Sequence, residues 1–175
     1  MPAPPPGLVI RRAHRARPAQ PTDWDAIWPI FHAVVAAGDT YAYDPETPEP
    51  AARDLWMPES GGAATYLREA GGTAVGTYLL RPNQPGLGSH VANAGYMVRP
   101  DASGQGIGRA LCEHSMAEAR AAGFRAMQFN FVVSTNERAI ALWQKLGFTI
   151  AGTLPQAFRH RRLGFVDAYV MHRLL

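Results

Sequence analysis

The sequence predicts a mixed α/β fold: a mostly antiparallel sheet of six to seven strands, helices on both faces, and a central parallel pair splayed at a cleft. The first observation is the order strand, helix, strand, helix, strand, strand from residue 90 onward. A strand–helix–strand crossover places its two strands parallel in one sheet. The second is that the strands before and after this crossover are predicted to be hairpin-linked, which makes the remaining pairs antiparallel.

The individual elements follow from local signals along the chain. Thr22 is predicted to be the N-cap of a helix with apolar residues at helical spacing, and Gly123 and Gly147 are predicted to end two later helices. The predicted strands span residues 13–17, 65–69, 73–80, 90–99, 126–132, 148–153 and 165–173, and the helices span residues 23–37, 51–56, 106–122 and 136–146. Residues 1–12 are predicted to be a flexible Pro/Arg-rich extension, and residues 13–175 one domain.

The composition is that of a chain able to bury a large core. Its 175 residues are 47% hydrophobic and 18% charged, which excludes disorder over most of the chain. The single cysteine, Cys112, excludes an internal disulfide framework and a four-cysteine metal site, and no metal is expected. It falls on a small-residue helix face and is predicted to be a buried spacer. Without an apolar run of roughly 20 residues or a signal peptide, the expectation is a cytoplasmic protein without a membrane partner.

The positive charge is carried almost entirely by arginine. Lys145 is the one lysine among 17 basic residues, and the net charge is +3. Arginines cluster at residues 11–17 and again at 159–162. Such clusters are solvated surface in one interpretation. In the other they bind an anion, either a nucleotide-like cofactor or nucleic acid.

Three glycines at alternate positions open the helix that follows the strand ending at Pro100. The stretch reads Ser103-Gly104-Gln105-Gly106-Ile107-Gly108-Arg109. Glycines allow close approach of a ligand to the backbone, and the free N–H groups of a helix start attract anions. The loop lacks the lysine of a Walker A motif and the spacing of a dinucleotide fingerprint. The prediction is a pyrophosphate at this helix start, and the alternative is a plain Gly-rich connection.

Two neighbouring strands carry polar residues where the fold would bury them. In strand 126–132 the odd-numbered residues are predicted on one face and the even-numbered residues on the other. Asn130 on this strand and Asn93 on strand 90–99 would face each other across a gap if the strands part near Gly95, a candidate bulge. The alternative is that both amides bridge buried backbone groups.

Residues 93–152 resemble the GNAT superfamily of acyl-CoA N-acyltransferases. Residues 103–108 match its pyrophosphate motif, Arg/Gln-x-x-Gly-x-Gly/Ala, and residues 136–148 match its later signature, both in the expected order. The order of elements extends the resemblance from about residue 13 to the C-terminus. Ser103 stands where the family has Arg or Gln. Trp143 stands where many members have a tyrosine that protonates the leaving thiolate.

The resemblance implies acetyl-CoA as co-substrate, lying between the two parted strands. It implies catalytic roles for the Val98 backbone N–H, which would donate to the thioester carbonyl, and for Asn136, which would orient the sulfur or the pantetheine amide. Asn136 is also an N-cap candidate. The implied cofactor-binding residues are Met97, Val98, Gly104, Gln105, Gly106, Ile107, Gly108, Arg109, Asn136, Ala139 and Trp143.

The resemblance also implies direct attack by a primary or secondary amine of a small molecule, and the acceptor side looks similar to the branch that acetylates free amino acids and their analogues. The substrate-binding candidates are Tyr41, Tyr43, Asn93 and Asn130. The candidate general bases are water, His90, Asp44, Glu46 and His160. The competing functions are a CoA-binding protein without turnover and an Arg-rich nucleic-acid-binding module, with nucleic acid the less favoured partner. A homodimer is one expected state of assembly.

Overall fold

The computed structural model describes residues 16–175, which contain one seven-stranded sheet with helices on both faces. The strands are β1 (Arg17–Pro18), β2 (Ala64–Ala70), β3 (Thr73–Pro82), β4 (Val91–Val98), β5 (Ala126–Val133), β6 (Thr149–His160) and β7 (Gly164–Leu174). Their order in the sheet is β1-β2-β3-β4-β5-β7-β6. The predicted extension at 1–12 and most of the strand predicted at 13–17 lie outside the described residues.

Four α-helices cover the two faces of the sheet. They are α1 (Trp24–Ala36), α2 (Glu49–Trp56), α3 (Ile107–Ala121) and α4 (Glu137–Lys145). On one face, α1 and α2 bury Ile27, Phe31 and Trp56 against Leu67 and Met97. The burial of each such side chain stabilises the fold by about 1.5–3 kcal/mol.

The other face carries α3 and α4, which pack closely on the sheet. A Cβ at Gly76 of β3 would lie 3.0 Å from Ile107 Cγ2 and 3.0 Å from Leu111 Cδ1. The absence of a side chain there lets α3 lie directly on the strand. The core on this face also contains Phe129 and Trp143.

The predicted fold class is confirmed, and the parallel pair is the feature that positions the site. All pairs in the sheet are antiparallel except β4 with β5. That pair is in register only from Val91 opposite Ala126 to Asn93 opposite Gln128, after which the two strands part. The predicted bulge at Gly95 is wrong, because β4 pairs with β3 in unbroken register through this residue. The gap therefore results from divergence of β5.

The structure corrects the predicted faces of β5. Its register against β7 advances three residues on β5, from Phe129 to Val132, for two on β7. This is a β-bulge, and the extra residue reverses the alternation beyond it. Val132 consequently joins Phe129 in the core on the α3 side, and Phe131 lies against Phe158 of β6 with ring centroids 6.2 Å apart. The sequence contains no signal that distinguishes this bulge from regular alternation.

β6 is twice as long as predicted. It continues past Pro155 to His160, with a register shift between Leu154 and Phe158 that accommodates the proline and a positive φ of 50° at Gln156. The predicted strand ended at Thr153, two residues before this proline, and proline usually interrupts strand pairing. The longer hairpin of β6 and β7 brings residues 158–163 back towards α1, where they contribute to the site.

Among the described residues, 16–175, none of the helices is long and apolar enough to cross a membrane. Within the same range, no group of three or more His, Cys, Asp or Glu side chains is placed to hold a metal ion.

Candidate active site

The gap between β4 and β5 exposes backbone groups of β4. Arg99 N donates to Val75 O and Asn83 N donates to Val91 O, so odd-numbered residues of β4 exchange hydrogen bonds with β3. Because these bonds alternate in an antiparallel pair, the N–H and C=O groups of Tyr96 and Val98 point towards β5. There β5 has already diverged, which leaves the Val98 N–H directed into the gap.

The same alternation directs the backbone of Met97 to β3. Met97 was predicted to pair with a bound pantetheine, but its backbone groups face Thr77, and its side chain is 1% exposed in the core under α1. Of the two adjacent backbone positions implied by sequence, Val98 is the one that faces the gap.

Tyr41 closes the gap on the α1 side. Its hydroxyl donates a 2.9 Å hydrogen bond to Tyr96 O, the carbonyl that β5 leaves without a strand partner. Its ring stacks on Tyr43 at 5.6 Å and meets Trp56 edge-on. A Cβ on Gly95 would lie 3.1 Å from Tyr41 Oη, so the missing side chain of this glycine makes room for the hydroxyl. Burial raises the pKa of Tyr41 well above its usual value, so the hydroxyl stays a donor.

The glycine loop lies at the start of α3, at the carboxyl end of β4. Gly106 is the N-cap of α3 with φ +76°, and Gly104 has φ +88°. Both are left-handed conformations that glycine adopts without strain. A Cβ at Gly106 would meet no atom within 4 Å, so the space above it is open to a ligand. Gln105 and Arg109 are exposed beside it, and Arg109 pairs with Glu113 at 2.8 Å.

Arg138 of α4 lies over this loop, although the sequence analysis did not select it. Its guanidinium donates a 3.0 Å hydrogen bond to Ser103 Oγ, and a Cβ on Gly104 would come within 3.2 Å of its Nη2. The two elements are 35 residues apart in the chain. The sequence alone places Arg138 in the first turn of α4, but only the fold shows which loop its side chain reaches.

The residues predicted on α4 have structural roles that the contacts define. Asn136 Oδ1 accepts a 3.2 Å hydrogen bond from Ala139 N, so its predicted N-cap role is confirmed. Trp143 is 8% exposed, and its ring centroid lies 5.1 Å from Tyr96 and 5.2 Å from Phe129. Trp143 is therefore a core residue that packs between side chains of β4 and β5. That it does not act as an acid stays a prediction.

A cavity of about 460 Å³ lies between the loop after α1, the start of α4 and the β6–β7 turn. Its lining residues are Asp39, Thr40, Thr135, Asn136, His160, Arg162 and Leu163. Two contacts of Arg161 join its walls: Arg161 N donates to Gly38 O, and Arg161 Nη1 donates to Ala36 O, each at 3.0 Å. The volume falls within the roughly 300–1,000 Å³ of small-ligand sites. Asp39 and Arg162 could not be predicted to share a site, because their positions, 39 and 162, are far apart in the sequence.

The two predicted substrate amides, Asn93 and Asn130, are each bonded to neighbouring protein groups. Asn93 Nδ2 donates to Gln128 O at 3.0 Å, and Asn130 Nδ2 donates to Asn83 Oδ1 at 2.7 Å. Asn130 Oδ1 also accepts from Gln128 Nε2 at 2.9 Å. The two amides lie on the same face of the sheet, but each is engaged with neighbouring protein groups.

Among the candidate bases, only His160 lines the cavity. His90 contacts Leu87 O and precedes the amino end of β4, seven residues before Met97. Asp44 Oδ1 accepts from Glu46 N in a turn, and both residues are exposed. His160 is 6% exposed.

Two of the clustered arginines are engaged with other groups of the protein. Arg17 is paired with Asp23 at 2.7 Å and lies 3.5 Å from Glu69. Arg161 bonds to Ala36 O at the end of α1.

Cys112 is fully buried as predicted, and burial raises the pKa of its thiol to about 12.

The profile of the Acetyltransferase (GNAT) family matches residues 27–148, which is well over half of the chain and includes the glycine loop and α4. The chain belongs to the GNAT acetyltransferase family. A solved GCN5-related N-acetyltransferase from Kribbella flavida is 50% identical, with 93% of this chain and 98% of that chain covered and a TM-score of 0.88. The putative acetyltransferase yncA from Salmonella typhimurium, solved with its cofactor acetyl-CoA, is 25% identical, with 93% and 94% covered and a TM-score of 0.76.

A curated relative is also recognisable by sequence. N-acetyltransferase aca1 of Schizosaccharomyces pombe is 40% identical over 97 residues, which are 55% of this chain and 46% of that protein. The match thus spans less than half of the curated relative's length.

The structure shows which groups surround Ser103 and Trp143, the two residues that depart from the GNAT pattern. Ser103 lacks the side chain that the motif usually supplies, and Arg138 brings a guanidinium to the same loop from α4. Trp143 lacks an acidic proton and is enclosed by aromatic neighbours.

Proposed function

We propose that this chain is an N-acetyltransferase that moves an acetyl group from acetyl-CoA to an amine of a small molecule, with residues 13–175 as its catalytic domain. The observation that carries the proposal is the parting of β4 from β5 directly beside the glycine-opened start of α3. The gap offers a slot for an extended chain, and the helix start offers N–H groups to a phosphate.

The residues present fit acetyl-CoA at the phosphate end. Gly104, Gln105, Gly106, Ile107, Gly108 and Arg109 form the loop that would bind the pyrophosphate. The guanidinium of Arg138 adds a positive charge at this point, supported by its bond to Ser103. Arginine suits a phosphate because its planar donors can bind two oxygens at once.

The remaining cofactor contacts would come from the gap itself. In this proposal Val98, Asn136, Ala139 and Trp143 would line the path of the pantetheine arm from the loop to the cavity. Acetyl-CoA supplies the activated thioester. The Val98 N–H would donate to the carbonyl oxygen as negative charge develops on it. One donor of this kind is typically worth about 2.7–4 kcal/mol.

The acceptor must attack as a free amine. The amine nitrogen bonds to the acetyl carbon, the carbon–sulfur bond breaks, and the thiolate of CoA leaves. The proton that the nitrogen gives up passes through water to the thiolate. At pH 7, deprotonation of an α-amino group with a pKa near 8 costs about 1.4 kcal/mol, and that of a lysine near 10.4 costs about 4.6 kcal/mol. A small α-amino acceptor therefore requires less help from the protein. Because Trp143 has no acidic proton, water protonates the thiolate in this proposal.

The test combines calorimetry with acetyl-CoA and a thiol-release assay against a panel of amines and free amino acids. Binding together with amine-dependent thiol release supports the proposal. Binding without release from any amine favours a CoA-binding protein without turnover. Absence of binding in a folded protein contradicts the proposal. The homodimer and the cytoplasmic location stay predictions, the first of which light scattering would test.

A further inference from the structure

The cavity beside Asn136 contains charges of both signs. Asp39 lies on the wall formed by the loop after α1, and Arg162 lies on the wall formed by the β6–β7 turn. The ion pairs among residues 16–175 include neither side chain. A carboxylate and a guanidinium in one cavity, each without an ionic partner from the described chain, match a ligand that carries both charges.

His160 adds a donor of fixed orientation to the Arg162 side. Its Nδ1 lies 3.1 Å from Arg162 N and 3.3 Å from Leu163 N, both of which are donors. Nδ1 must therefore accept, and the neutral ring carries its hydrogen on Nε2. The nitrogen left for a ligand is a donor, so His160 suits an anionic group better than it suits the role of general base.

The cavity walls are held in place before any ligand binds. Arg161 bonds the β6–β7 turn to Gly38 O and Ala36 O, so the Asp39 loop and the Arg162 turn are tied together. His160 is itself packed edge-on against Phe158 at 6.3 Å. A preformed site loses less entropy on binding and discriminates better between ligands.

We propose that this cavity binds the acceptor as a zwitterionic amino acid, with the carboxylate held by Arg162 and His160 and the ammonium by Asp39. The inference rests on the proposed function, because Asn136, which lines this cavity, is also one of the residues proposed to bind acetyl-CoA. A simple amine leaves Arg162 and His160 without a partner. A dianion such as a phosphate monoester would be repelled by Asp39. An amino acid with one group of each sign satisfies both walls.

The experiment measures kcat/KM by thiol release for three matched sets: the twenty free amino acids, their carboxamides, and the amines that lack the carboxyl group. The variants are Arg162→Gln, Asp39→Asn and the control Arg159→Gln. Arg159 belongs to the same hairpin but is exposed on the strand face opposite His160. Acetyl-CoA affinity is measured in parallel for every variant.

We expect free amino acids to be acetylated and their carboxamides to react more slowly. Arg162→Gln should lower kcat/KM for the amino acid by about 10- to 150-fold, the effect of losing a hydrogen bond to a charged group. It should leave the carboxamide nearly unchanged. Asp39→Asn should weaken both, because both ligands keep the ammonium. Arg159→Gln should resemble the wild type on all three sets.

Three outcomes overturn the inference. The first is equal or faster turnover of amines without a carboxyl group, which leaves the proposed function intact. The second is an equal loss on amino acid and carboxamide in Arg162→Gln. The third is binding of acetyl-CoA without turnover of any amino acid. Failure of the folded wild type to bind acetyl-CoA contradicts the proposed function itself, and the inference fails with it.

Discussion

The Arg138 guanidinium donates a 3.0 Å hydrogen bond to Ser103 Oγ, which brings a cation from α4 onto the loop that opens α3. In the GNAT motif the first position of this loop is Arg or Gln, and here it is serine. The contact supplies from a second element the charge that the loop itself lacks. If the loop binds pyrophosphate, Arg138 is expected to contact it.

Arg138→Gln should therefore weaken acetyl-CoA binding. We expect the Kd to rise about tenfold, which corresponds to ~1.4 kcal/mol, and the difference from wild type to shrink at high salt because exposed charges are screened. Isothermal titration calorimetry at two salt concentrations measures both effects. Arg120→Gln, in the last turn of α3, is the control and should bind as the wild type does. Equal affinity of Arg138→Gln and the control would remove Arg138 from the phosphate site.

Gly106→Ala should weaken acetyl-CoA binding well beyond what its effect on stability explains. Gly106 and Gly123 both have positive φ, +76° and +86°, and at both positions an added Cβ meets no atom within 4 Å. The two substitutions should cost similar stability, about 1–2 kcal/mol, because each places an L-residue in the left-handed region. Only Gly106 lies at the loop, so only Gly106→Ala should lose acetyl-CoA affinity in calorimetry. Similar affinities for the two variants would place the cofactor elsewhere.

Trp143→Phe should lower stability and preserve catalysis. The indole packs between Tyr96 and Phe129, so a smaller ring leaves a void and should cost about 0.5–3 kcal/mol in denaturant unfolding. Removal of a proton donor typically costs about 10²–10⁴-fold in rate. We expect kcat to fall by much less than this. A loss in that range, in a variant that remains folded, would show that the indole takes part in the reaction.

The sequence predicted the parts of the site that are local in the chain. The glycine loop, the N-cap Asn136 and buried Cys112 could be predicted because spacing along one helix determines them. Arg138, Asp39 and Arg162 could not, because their positions depend on which loops the sheet brings together. The β5 bulge could not be predicted either, because a pattern of alternating residues does not reveal that one strand contains an extra residue. It is this bulge that turns Phe131 to the opposite face from Phe129 and brings Val132 to the same face as Phe129.

Asn93→Ala and Asn130→Ala should reduce activity equally for an amino acid and for the matched amine. Each amide bonds to neighbouring protein groups, Asn93 to Gln128 O and Asn130 to Asn83, so its loss loosens the strands and does not remove a ligand contact. Measuring kcat/KM on both substrates decides the point. A loss of 10-fold or more in kcat/KM that is confined to the amino acid would show that these amides bind the substrate carboxylate.

Buried hydroxyls and the buried thiol should make the protein sensitive to alkali. Burial raises the pKa of Tyr41 and of Tyr96 well above the usual value, and raises that of Cys112 to about 12. Above a pH of about 9 to 10 the unfolded chain loses these protons while the folded chain keeps them, so the free energy of unfolding must fall as pH rises. Each such group contributes up to about 1.4 kcal/mol per pH unit.

Tyr41→Phe isolates one of these groups. It removes the 2.9 Å bond to Tyr96 O, so at pH 8 the variant should be less stable than the wild type by about 0.5–1.5 kcal/mol. Because it also removes a titrating hydroxyl, its stability should decline less steeply between pH 9 and about 11. Urea unfolding followed by circular dichroism across this range measures both slopes. Parallel slopes for the two proteins would mean that the Tyr41 hydroxyl titrates in the folded protein as it does in water, and that it does not close the gap between β4 and β5.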